Sequence, residues 1–258
     1  MLERITMPPQ LKKILGDDGI SHTQLAEMKA NVYNERQGDL GEFDCPICRN
    51  KGYVAFVSDD VVKTRECECA AKRRSLKRIR QSGLKDLLAT YTFESFETPK
   101  AWMKTAKRTA MDYLTKDDGW FVVTGTPGTG KTHLCTAICG ELINAGKEVR
   151  YMLWREEAPR LKAMVNDREE YERRMNGYKK VDVLYIDDFL KGNVTEADIN
   201  LAFELLNSRY NTKRLQTVIS SEKTIEQMLD IDEAIGSRIY ERSKGSAIKT
   251  PAENWRLR

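Results

Sequence analysis

The sequence predicts an α/β fold in which a parallel five-stranded sheet is preceded by a small metal-binding module. One observation is that, from about residue 90 onward, short apolar runs alternate with amphipathic helical segments. Buried strands that alternate with helices form parallel sheets with helices on both faces. The other observation is that four of the six cysteines lie between Cys45 and Cys69, which favours a metal site over disulfides in a chain without a secretion signal.

Length and composition allow one large and one small domain within 258 residues, and we predict that they divide between residues 88 and 89. A hydrophobic fraction of 40% supports a buried core. The first residues, MLERITMPPQLKK, lack the apolar core of a signal peptide, and no apolar run is long enough to span a bilayer. We therefore expect a cytoplasmic protein with no membrane partner. The net charge of +4 does not by itself mark a nucleic-acid binder.

Five short apolar runs predict the strands of the sheet, over residues 120–124, 149–154, 181–186, 217–220 and 247–249. Helical periodicity predicts helices over residues 131–145, 156–175 (one helix or a pair), 223–230 and 233–243. A capping box of Thr195 and Asp198 predicts the start of a further helix. We assign its buried face to Ile199, Phe203, Leu206 and Tyr210.

A phosphate-binding motif follows the first of these strands. Residues 125–132 read Gly-Thr-Pro-Gly-Thr-Gly-Lys-Thr, the GxxxxGK[ST] pattern of a P-loop placed between a strand and a helix. The glycines let backbone N–H groups surround phosphate oxygens, and the helix N-terminus adds its positive dipole end. We predict that Lys131 contacts the β- and γ-phosphates of ATP and that Thr132 binds Mg²⁺. The predicted nucleotide contacts are Gly125, Thr126, Pro127, Gly128, Thr129, Gly130, Lys131, Thr132 and His133.

An acidic strand end lies further along the chain. Residues 181–188 read Val-Asp-Val-Leu-Tyr-Ile-Asp-Asp, an apolar run that ends in two carboxylates. Downstream of a phosphate-binding loop, this pattern predicts that Asp187 holds Mg²⁺ through water and that Asp188 orients the attacking water. Taken alone, the pattern also fits a strand that is followed by an acidic turn.

The clustered cysteines form a CxxC…CxC set of Cys45, Cys48, Cys67 and Cys69. Four thiolates make a closed tetrahedral site, which suits structural Zn²⁺ and leaves no position open for catalysis. Segments 53–57 and 61–64, between the two pairs, predict a small hairpin. Free buried thiols are the alternative, and His22 is a remote replacement ligand. Two further cysteines, Cys135 and Cys139, lie four apart in the helix after the loop, and we interpret them as core thiols.

Two charged segments are candidates for contact with DNA. Residues 72–85 carry seven Lys or Arg and predict a basic amphipathic helix that ends at Gly83. Such a helix binds DNA phosphates or an acidic partner surface, or it is a solvated linker. In segment 155–180 the acids balance the bases, which favours a solvated face. Its basic residues and Lys191 are weaker candidates to face DNA.

Several motifs, in this order, resemble the DnaC/DnaI/IstB branch of the AAA+ ATPases, in particular helicase loaders of Gram-positive bacteria and their phages. The motifs are CPICRNKGY, CECA, QSGL, YTFESF, GTPGTGKTHL, VLYIDDF, TVISSE and IGSRIYER, and they span about residues 40–250. The resemblance implies an AAA+ P-loop NTPase whose N-terminal zinc-bearing part binds a hexameric replicative helicase. It also implies ATP-dependent binding of single-stranded DNA and self-association through the ATPase domain.

The resemblance also implies roles near the C-terminus. In this family an Arg of a neighbouring subunit reaches the γ-phosphate, and IGSRIYER offers Arg238 and Arg242, of which we favour Arg242 because it is closer to the final strand. Where the family has Ser-Asn at the sensor position, this chain has Ser221 and Glu222. We expect Glu222 to point away and Ser221 to take the sensor role. Hydrolysis is then slow unless a partner or DNA stimulates it. We expect no C-terminal helical lid.

These expectations describe an ATP-dependent loader of a hexameric replicative helicase onto single-stranded DNA during replication initiation. Residues 1–88 would bind zinc and the helicase and contain the basic linker helix, and residues 89–258 would form the ATPase domain. An IstB-like transposition helper ATPase is one alternative, although the cysteine module suits a loader better. A nucleotide-switched interaction protein with little hydrolysis is the other.

Overall fold

The computed structural model describes residues 21–41, 43–81 and 85–254. The chain forms two compact units, one up to Ala70 and one from Ala71 onward. This division precedes the predicted one at residues 88 and 89, because the basic segment packs with the second unit. Among the described residues, no helix is long and apolar enough to cross a membrane.

The first unit is a helix packed on a two-stranded hairpin. Helix α1 (His22–Glu35) starts at a capping box of Ser21 and Gln24. Strands β1 (Tyr53–Ser58) and β2 (Val61–Glu66) pair antiparallel through a two-residue turn with positive φ at both positions, as the predicted hairpin requires. The Asn34 side chain holds α1 to β1, since its amide donates to the Ala55 carbonyl and accepts from the Ala55 N–H, both at 2.9 Å.

Helix α2 (Cys69–Gln81) contains most of the basic segment and is docked on the second unit. The Ser75 hydroxyl accepts from the Val149 N–H at 2.8 Å and donates to the Lys147 carbonyl at 3.2 Å. Leu76 packs against the core. These contacts argue against the solvated linker that the charge pattern alone allowed. The predicted end of this helix at Gly83 lies outside the described residues.

The second unit alternates helices with strands, as predicted. After α3 (Lys85–Thr90) and α4 (Ala101–Leu114), its elements are β3 (Gly119–Thr124), α5 (Lys131–Asn144), β4 (Val149–Leu153), α6 (Trp154–Ala163), a short 3₁₀ turn (Met164–Asn166), α7 (Arg168–Lys180), β5 (Val183–Asp187), α8 (Glu196–Asn211), β6 (Gln216–Ser221), α9 (Ile225–Ile231), α10 (Glu233–Arg242) and β7 (Ala247–Lys249). The charged segment that allowed one helix or two therefore forms a pair.

The five strands form one parallel sheet in the order β4-β5-β6-β3-β7. Successive residues of β3 point to opposite faces, where Phe121 and Val123 join one core cluster and Trp120 and Val122 join the other. Because all strands run the same way, the carboxyl ends of β3, β5 and β6 lie at one edge. That edge carries the loop after β3 and the acidic end of β5.

The buried face of α8 differs from the prediction. Thr195 and Asp198 form the predicted capping box, but the buried positions of the helix are Asp198, Leu201, Ala202, Leu205, Leu206 and Arg209. Of the four predicted residues, only Leu206 is fully buried, and Phe203 is exposed. The helix is covered on a wide face by the sheet and by neighbouring helices, so one apolar stripe did not define its orientation.

Candidate nucleotide site and thiol cluster

The predicted phosphate loop turns sharply between β3 and α5. Gly125, Gly128 and Gly130 have φ values of 141°, 77° and 83°, a region that favours glycine. A side chain is also excluded at Gly125, since a Cβ there would lie 2.0 Å from the Thr250 hydroxyl oxygen. Gly130 is the N-cap of α5, whose first residue is Lys131. The loop therefore aims the helix N-terminus and its free N–H groups at one point, as phosphate binding requires.

Lys131 lies over this loop. Its ammonium donates to the carbonyls of Gly125 at 2.8 Å and Thr126 at 2.7 Å, and the side chain is buried. Burial lowers the pKa of Lys131, although the carboxylates of Glu222 and Asp188 oppose that shift. Among the described residues, no carboxylate forms an ion pair with this buried ammonium, which is therefore positioned to receive phosphate oxygens.

The two predicted magnesium ligands lie together at the sheet edge. The Thr132 hydroxyl is 3.5 Å from Asp187 Oδ1. Asp187 also accepts from the Tyr151 hydroxyl at 3.2 Å and from the Ser220 hydroxyl. Hydroxyl groups from two neighbouring strands thus fix the orientation of this carboxylate, as expected for a metal-binding side chain. A hydroxyl beside a carboxylate fits Mg²⁺.

Asp188 lies in a left-handed turn with φ 54° directly after β5. Its carboxylate accepts from Lys191 at 3.1 and 3.3 Å, and the same ammonium lies 2.7 Å from Glu222. All three side chains line the cavity beside the phosphate loop. One expectation is therefore corrected, because Glu222 does not point away from the cavity. Lys191, a weak sequence candidate to face DNA, lines this cavity, and its contact with DNA stays a prediction.

Ser221 does not line this cavity in the way that a sensor requires. It is fully buried, its hydroxyl donates to the Phe189 carbonyl at 2.7 Å, and it accepts from the Lys223 N–H at 3.0 Å. These bonds join the end of β6 to the turn after β5. Ser221 therefore has a structural role in this arrangement, and Glu222 is the side chain that reaches the cavity. The sensor role of Ser221 stays a prediction.

The cavity has a volume of about 390 Å³ and a second wall that sequence reasoning missed. The P-loop forms one wall, and the other contains Tyr91, Ser95, Phe96, Glu97, Pro99 and Met103. Tyr91, Ser95 and Phe96 belong to the YTFESF motif, which contributed to the family resemblance but for which the sequence predicted no role. An aromatic wall beside a phosphate loop suits the base of a nucleotide.

His133 connects the two walls. Its ring stacks on Tyr91 with centroids 4.5 Å apart, and Phe96 meets it edge-on at 5.0 Å. The ring Nε2 lies 3.0 Å from the Thr92 carbonyl oxygen and 3.2 Å from the Ser95 hydroxyl. Burial lowers the pKa of His133, which favours the neutral form of the ring. His133 therefore lines the cavity in contact with the aromatic wall, and its contact with a nucleotide stays a prediction.

The two candidate arginines lie on α10, away from the phosphate loop of their own chain. Arg242 forms an ion pair with Asp118, just before β3, whereas the loop follows β3. Arg238 donates to the Ala234 carbonyl at 2.7 Å, and its guanidinium lies over the rings of Phe203 and Tyr210 at 5.1 and 5.3 Å. The contacts described for both arginines are thus with residues other than those of the phosphate loop, and the action of either one on a neighbouring copy stays a prediction.

The four cysteines of the first unit form a buried thiol cluster. Their Sγ atoms all lie within 4.8 Å of one another, with Cys45 to Cys67 at 3.8 Å and Cys48 to Cys69 at 3.6 Å. Zinc–sulfur bonds of about 2.3 Å set tetrahedral sulfur–sulfur separations of about 3.8 Å. Burial opposes ionisation of Cys48, but the Gly52 N–H and the neighbouring thiols outweigh it and lower its pKa to about 6. The donor set therefore fits a tetrahedral metal ion.

His22 does not join this cluster, which consists of thiols alone. Cys135 and Cys139 are fully buried in the core of the second unit, as predicted. Burial raises the pKa of both thiols far above the ordinary range, so they are unreactive.

The P-loop strand β3 lies between β6 and the short final strand β7, and the acidic strand β5 lies on the other side of β6. This strand order and the phosphate loop, together with the family match, define an ATP-binding ATPase of the AAA+ class. Residues 49–258 match the model of the IstB-like ATP-binding proteins, and the chain belongs to that family. The confirmed predictions are thus the AAA+ fold, the IstB/DnaC relationship and the ATPase class.

Individual relatives agree with this assignment. The chain is 31% identical to the phage-like element PBSX protein XkdC of Bacillus subtilis, over 80% of this chain and 81% of that protein. It is 27% identical to the replicative helicase loader DnaC of Escherichia coli, over 64% of this chain and 67% of DnaC. A crystal structure of the DnaC helicase loader matches with a TM-score of 0.55 at 18% identity, over 64% of this chain and 98% of that chain, which supports the fold.

Proposed function

We propose that this protein is an ATP-dependent loader of a hexameric replicative DNA helicase onto single-stranded DNA during replication initiation. The observation that carries the proposal is sequence similarity to the helicase loader DnaC over 64% of this chain, beside a site in which the phosphate loop, Thr132 and Asp187 are assembled. Such a site changes its charge and its contacts when ATP replaces ADP. A loader needs this property to hold its partner and then release it.

The nucleotide roles follow from the positions of the side chains. Lys131 binds the β- and γ-phosphates, and Thr132 and Asp187 hold Mg²⁺. Asp188 orients the attacking water, which needs a free carboxylate near the terminal phosphate. Its ion pair with Lys191 supports slow basal turnover that a partner or DNA stimulates.

The first unit provides the helicase-binding part in this proposal, and the thiol cluster binds structural zinc. The unit has a small buried core outside the thiols, in which Ala26, Ala30 and Ala55 are its buried apolar residues among those described. A bound metal therefore supplies folding free energy that so small a core does not. Exposed apolar side chains at Leu25, Met28 and Val32 share one face of α1 and suit a protein partner.

Self-association completes the ATPase site. An arginine of one copy reaches the γ-phosphate held by the next copy, and Arg242 is the favoured residue of the pair with Arg238. Single-stranded DNA binds the assembled ATPase units. The remaining sequence candidates for this contact are the basic residues of α2 and of segment 155–180.

Size-exclusion chromatography of the full chain mixed with candidate replicative helicases, with ATP or ADP, tests the proposal. We expect co-elution with one helicase and a nucleotide-dependent change in its DNA loading. Lys131→Ala should still elute with the helicase but lose nucleotide-dependent DNA binding. The absence of co-elution under either nucleotide condition would contradict the helicase-loader proposal while leaving the ATPase site intact.

A transposition helper ATPase is the second candidate, and the IstB-like family match supports it. This function requires a complex with a transposase and ATP-dependent binding of double-stranded target DNA. Parallel pull-downs with a replicative helicase and with an insertion-sequence transposase distinguish the two functions. Capture of the transposase alone would replace the loader proposal.

A further inference from the structure

The turn after β5 folds back so that the side chain of Lys191 contacts the carboxylate of Asp188. Asp188 and Leu190 have φ values of 54° and 52°, and Gly192 follows with 89°. Three left-handed residues within five positions bend the chain back on itself, and the Lys191 N–H donates to the Asp188 carbonyl at 3.1 Å. Left-handed backbone at two non-glycine residues costs free energy and is commonly kept at functional sites.

The ammonium of Lys191 joins two carboxylates from different strands. It lies 3.1 Å from Asp188, after β5, and 2.7 Å from Glu222, after β6. Partial burial would lower the pKa of Lys191, but its hydrogen bonds to the carboxylates of Glu222 and Asp188 outweigh burial and raise it. The lysine therefore carries a full charge within the cavity.

This group lies where a terminal phosphate would arrive. Lys191, Asp188 and Glu222 line the same cavity as Lys131 and Thr132. The charges of all three side chains shift the pKa of Lys131, the residue proposed to hold the phosphates, so all three lie close to its ammonium. Without a cation between them, two carboxylates here would repel a polyphosphate, and the affinity for ATP would fall more than that for ADP.

We propose that Lys191 is a phosphate-binding residue that exchanges its carboxylate partners for the terminal phosphate of ATP. On ATP binding, the ammonium moves from Asp188 and Glu222 to the γ-phosphate oxygens, and Asp188 becomes free to orient water. With ADP, the lysine stays paired with both carboxylates. Lys191 and Glu222 together thus replace the neutral sensor side chain expected after β6. The proposal rests on the ATPase site and does not depend on helicase loading.

Nucleotide titrations on the full chain test this exchange. The variants are Lys191→Met, Lys191→Arg and Glu222→Gln, and the dissociation constants of a fluorescent non-hydrolysable ATP analogue and of fluorescent ADP are measured for each. Lys223→Met is the matched control, since it removes the same charge at the next residue after Glu222, from a side chain outside the lining of the cavity. Thermal melting of every variant reports whether the fold is intact.

The exchange predicts effects that depend on the third phosphate. Lys191→Met should weaken binding of the ATP analogue roughly tenfold and that of ADP less than about twofold, as for loss of one charge-assisted hydrogen bond. Lys191→Arg should restore most of the preference for ATP. Glu222→Gln should increase that preference, because it removes a competing carboxylate. Lys223→Met should leave the ratio of the two dissociation constants unchanged.

A Lys191→Met protein that melts like the unmodified chain and keeps its ratio of ATP to ADP affinity would overturn the exchange. Equal weakening of both nucleotides would do the same, since it would indicate a structural role for the ion pairs. If Lys191→Met fails to fold, the preference of Glu222→Gln for ATP over ADP tests the proposal instead. An unchanged or reduced preference for ATP in that variant contradicts the proposal.

Discussion

Arg242 forms an ion pair with Asp118 of its own chain, at the opposite end of β3 from the phosphate loop. One guanidinium nitrogen of Arg242 donates to Asp118 Oδ2 at 3.3 Å and a second donates to Oδ1. The Arg242 side chain is 18% exposed, so its guanidinium is held in place and still reaches the surface. This pair holds the guanidinium of Arg242 at the end of β3 that lies away from the phosphate loop of its own chain.

We predict that Arg242→Ala abolishes stimulated ATP hydrolysis while ATP binding is retained. The physical reason is that an arginine supplied in trans neutralises charge at the transferring phosphoryl group, an effect of roughly a thousandfold or more on turnover. Phosphate release by assembled protein and nucleotide titration measure the two properties. Arg238→Ala should keep most of the activity, and the reverse outcome for the two arginines would transfer the role to Arg238.

Asp118 should make stability depend on acid pH. Burial would raise the pKa of Asp118, but the Arg242 guanidinium and the Gly119 N–H outweigh burial and lower it. A depressed pKa in the folded state means that this carboxylate stabilises the fold above its unfolded pKa of about 4, and that the contribution is lost as pH falls through the lower folded value. We expect Asp118→Asn to lower the melting temperature at pH 7. Between about pH 5 and about pH 3, the melting temperature of this variant should fall less than that of the unmodified chain. Parallel acid dependence of the two proteins would show that the pair contributes nothing.

The thiol cluster should hold about one zinc ion per chain in metal analysis of the purified protein. Cys48→Ser should remove that zinc and unfold the first unit, because the few buried apolar residues in its described part do not stabilise it without the metal. Cys139→Ala, in the core of the second unit, is the matched control and should retain the metal. Zinc retained by Cys48→Ser with native circular dichroism would contradict the four-thiol assignment.

Arg209 should be a major contributor to the stability of the second unit. It is fully buried, and its guanidinium donates to the Thr217 hydroxyl and to the carbonyls of Tyr178, Lys179, Val181 and Gln216. Arg209→Met removes these donors and leaves buried carbonyls without partners, so we expect the free energy of unfolding to fall by roughly 3 kcal/mol. Denaturant unfolding measures the loss. Arg173→Met, in an exposed ion pair, should leave the midpoint almost unchanged.

Local patterns were sufficient for the parts of this protein that depend on consecutive residues. The phosphate loop lies between β3 and α5 because its glycines permit left-handed backbone, and the capping box at Thr195 starts α8 at the predicted position. The final strand at residues 247–249 also matches. The cysteine spacing predicted a four-thiol cluster, since two short spacings on either side of a hairpin bring the sulfur atoms together.

Predictions failed where the partner of a side chain lies far away in the sequence. The buried face of α8 includes the charged Arg209, whose carbonyl partners belong to α7, β6 and the segments beside them. The docking of α2 depends on the Ser75 hydroxyl and the backbone of β4. Helical periodicity reports an apolar stripe, but it does not reveal a buried polar group that is satisfied by distant backbone.

The sequence by itself determined that this protein has a P-loop, an acidic strand end, a parallel sheet and four clustered thiols, because each is encoded in a short segment. Only the tertiary structure decided which charges share the nucleotide cavity. Lys191 and Glu222 follow different strands, and they meet only because β5 and β6 are parallel neighbours whose carboxyl ends lie at one edge of the sheet. The electrostatics of the site therefore arise from strand order, which no local pattern specifies.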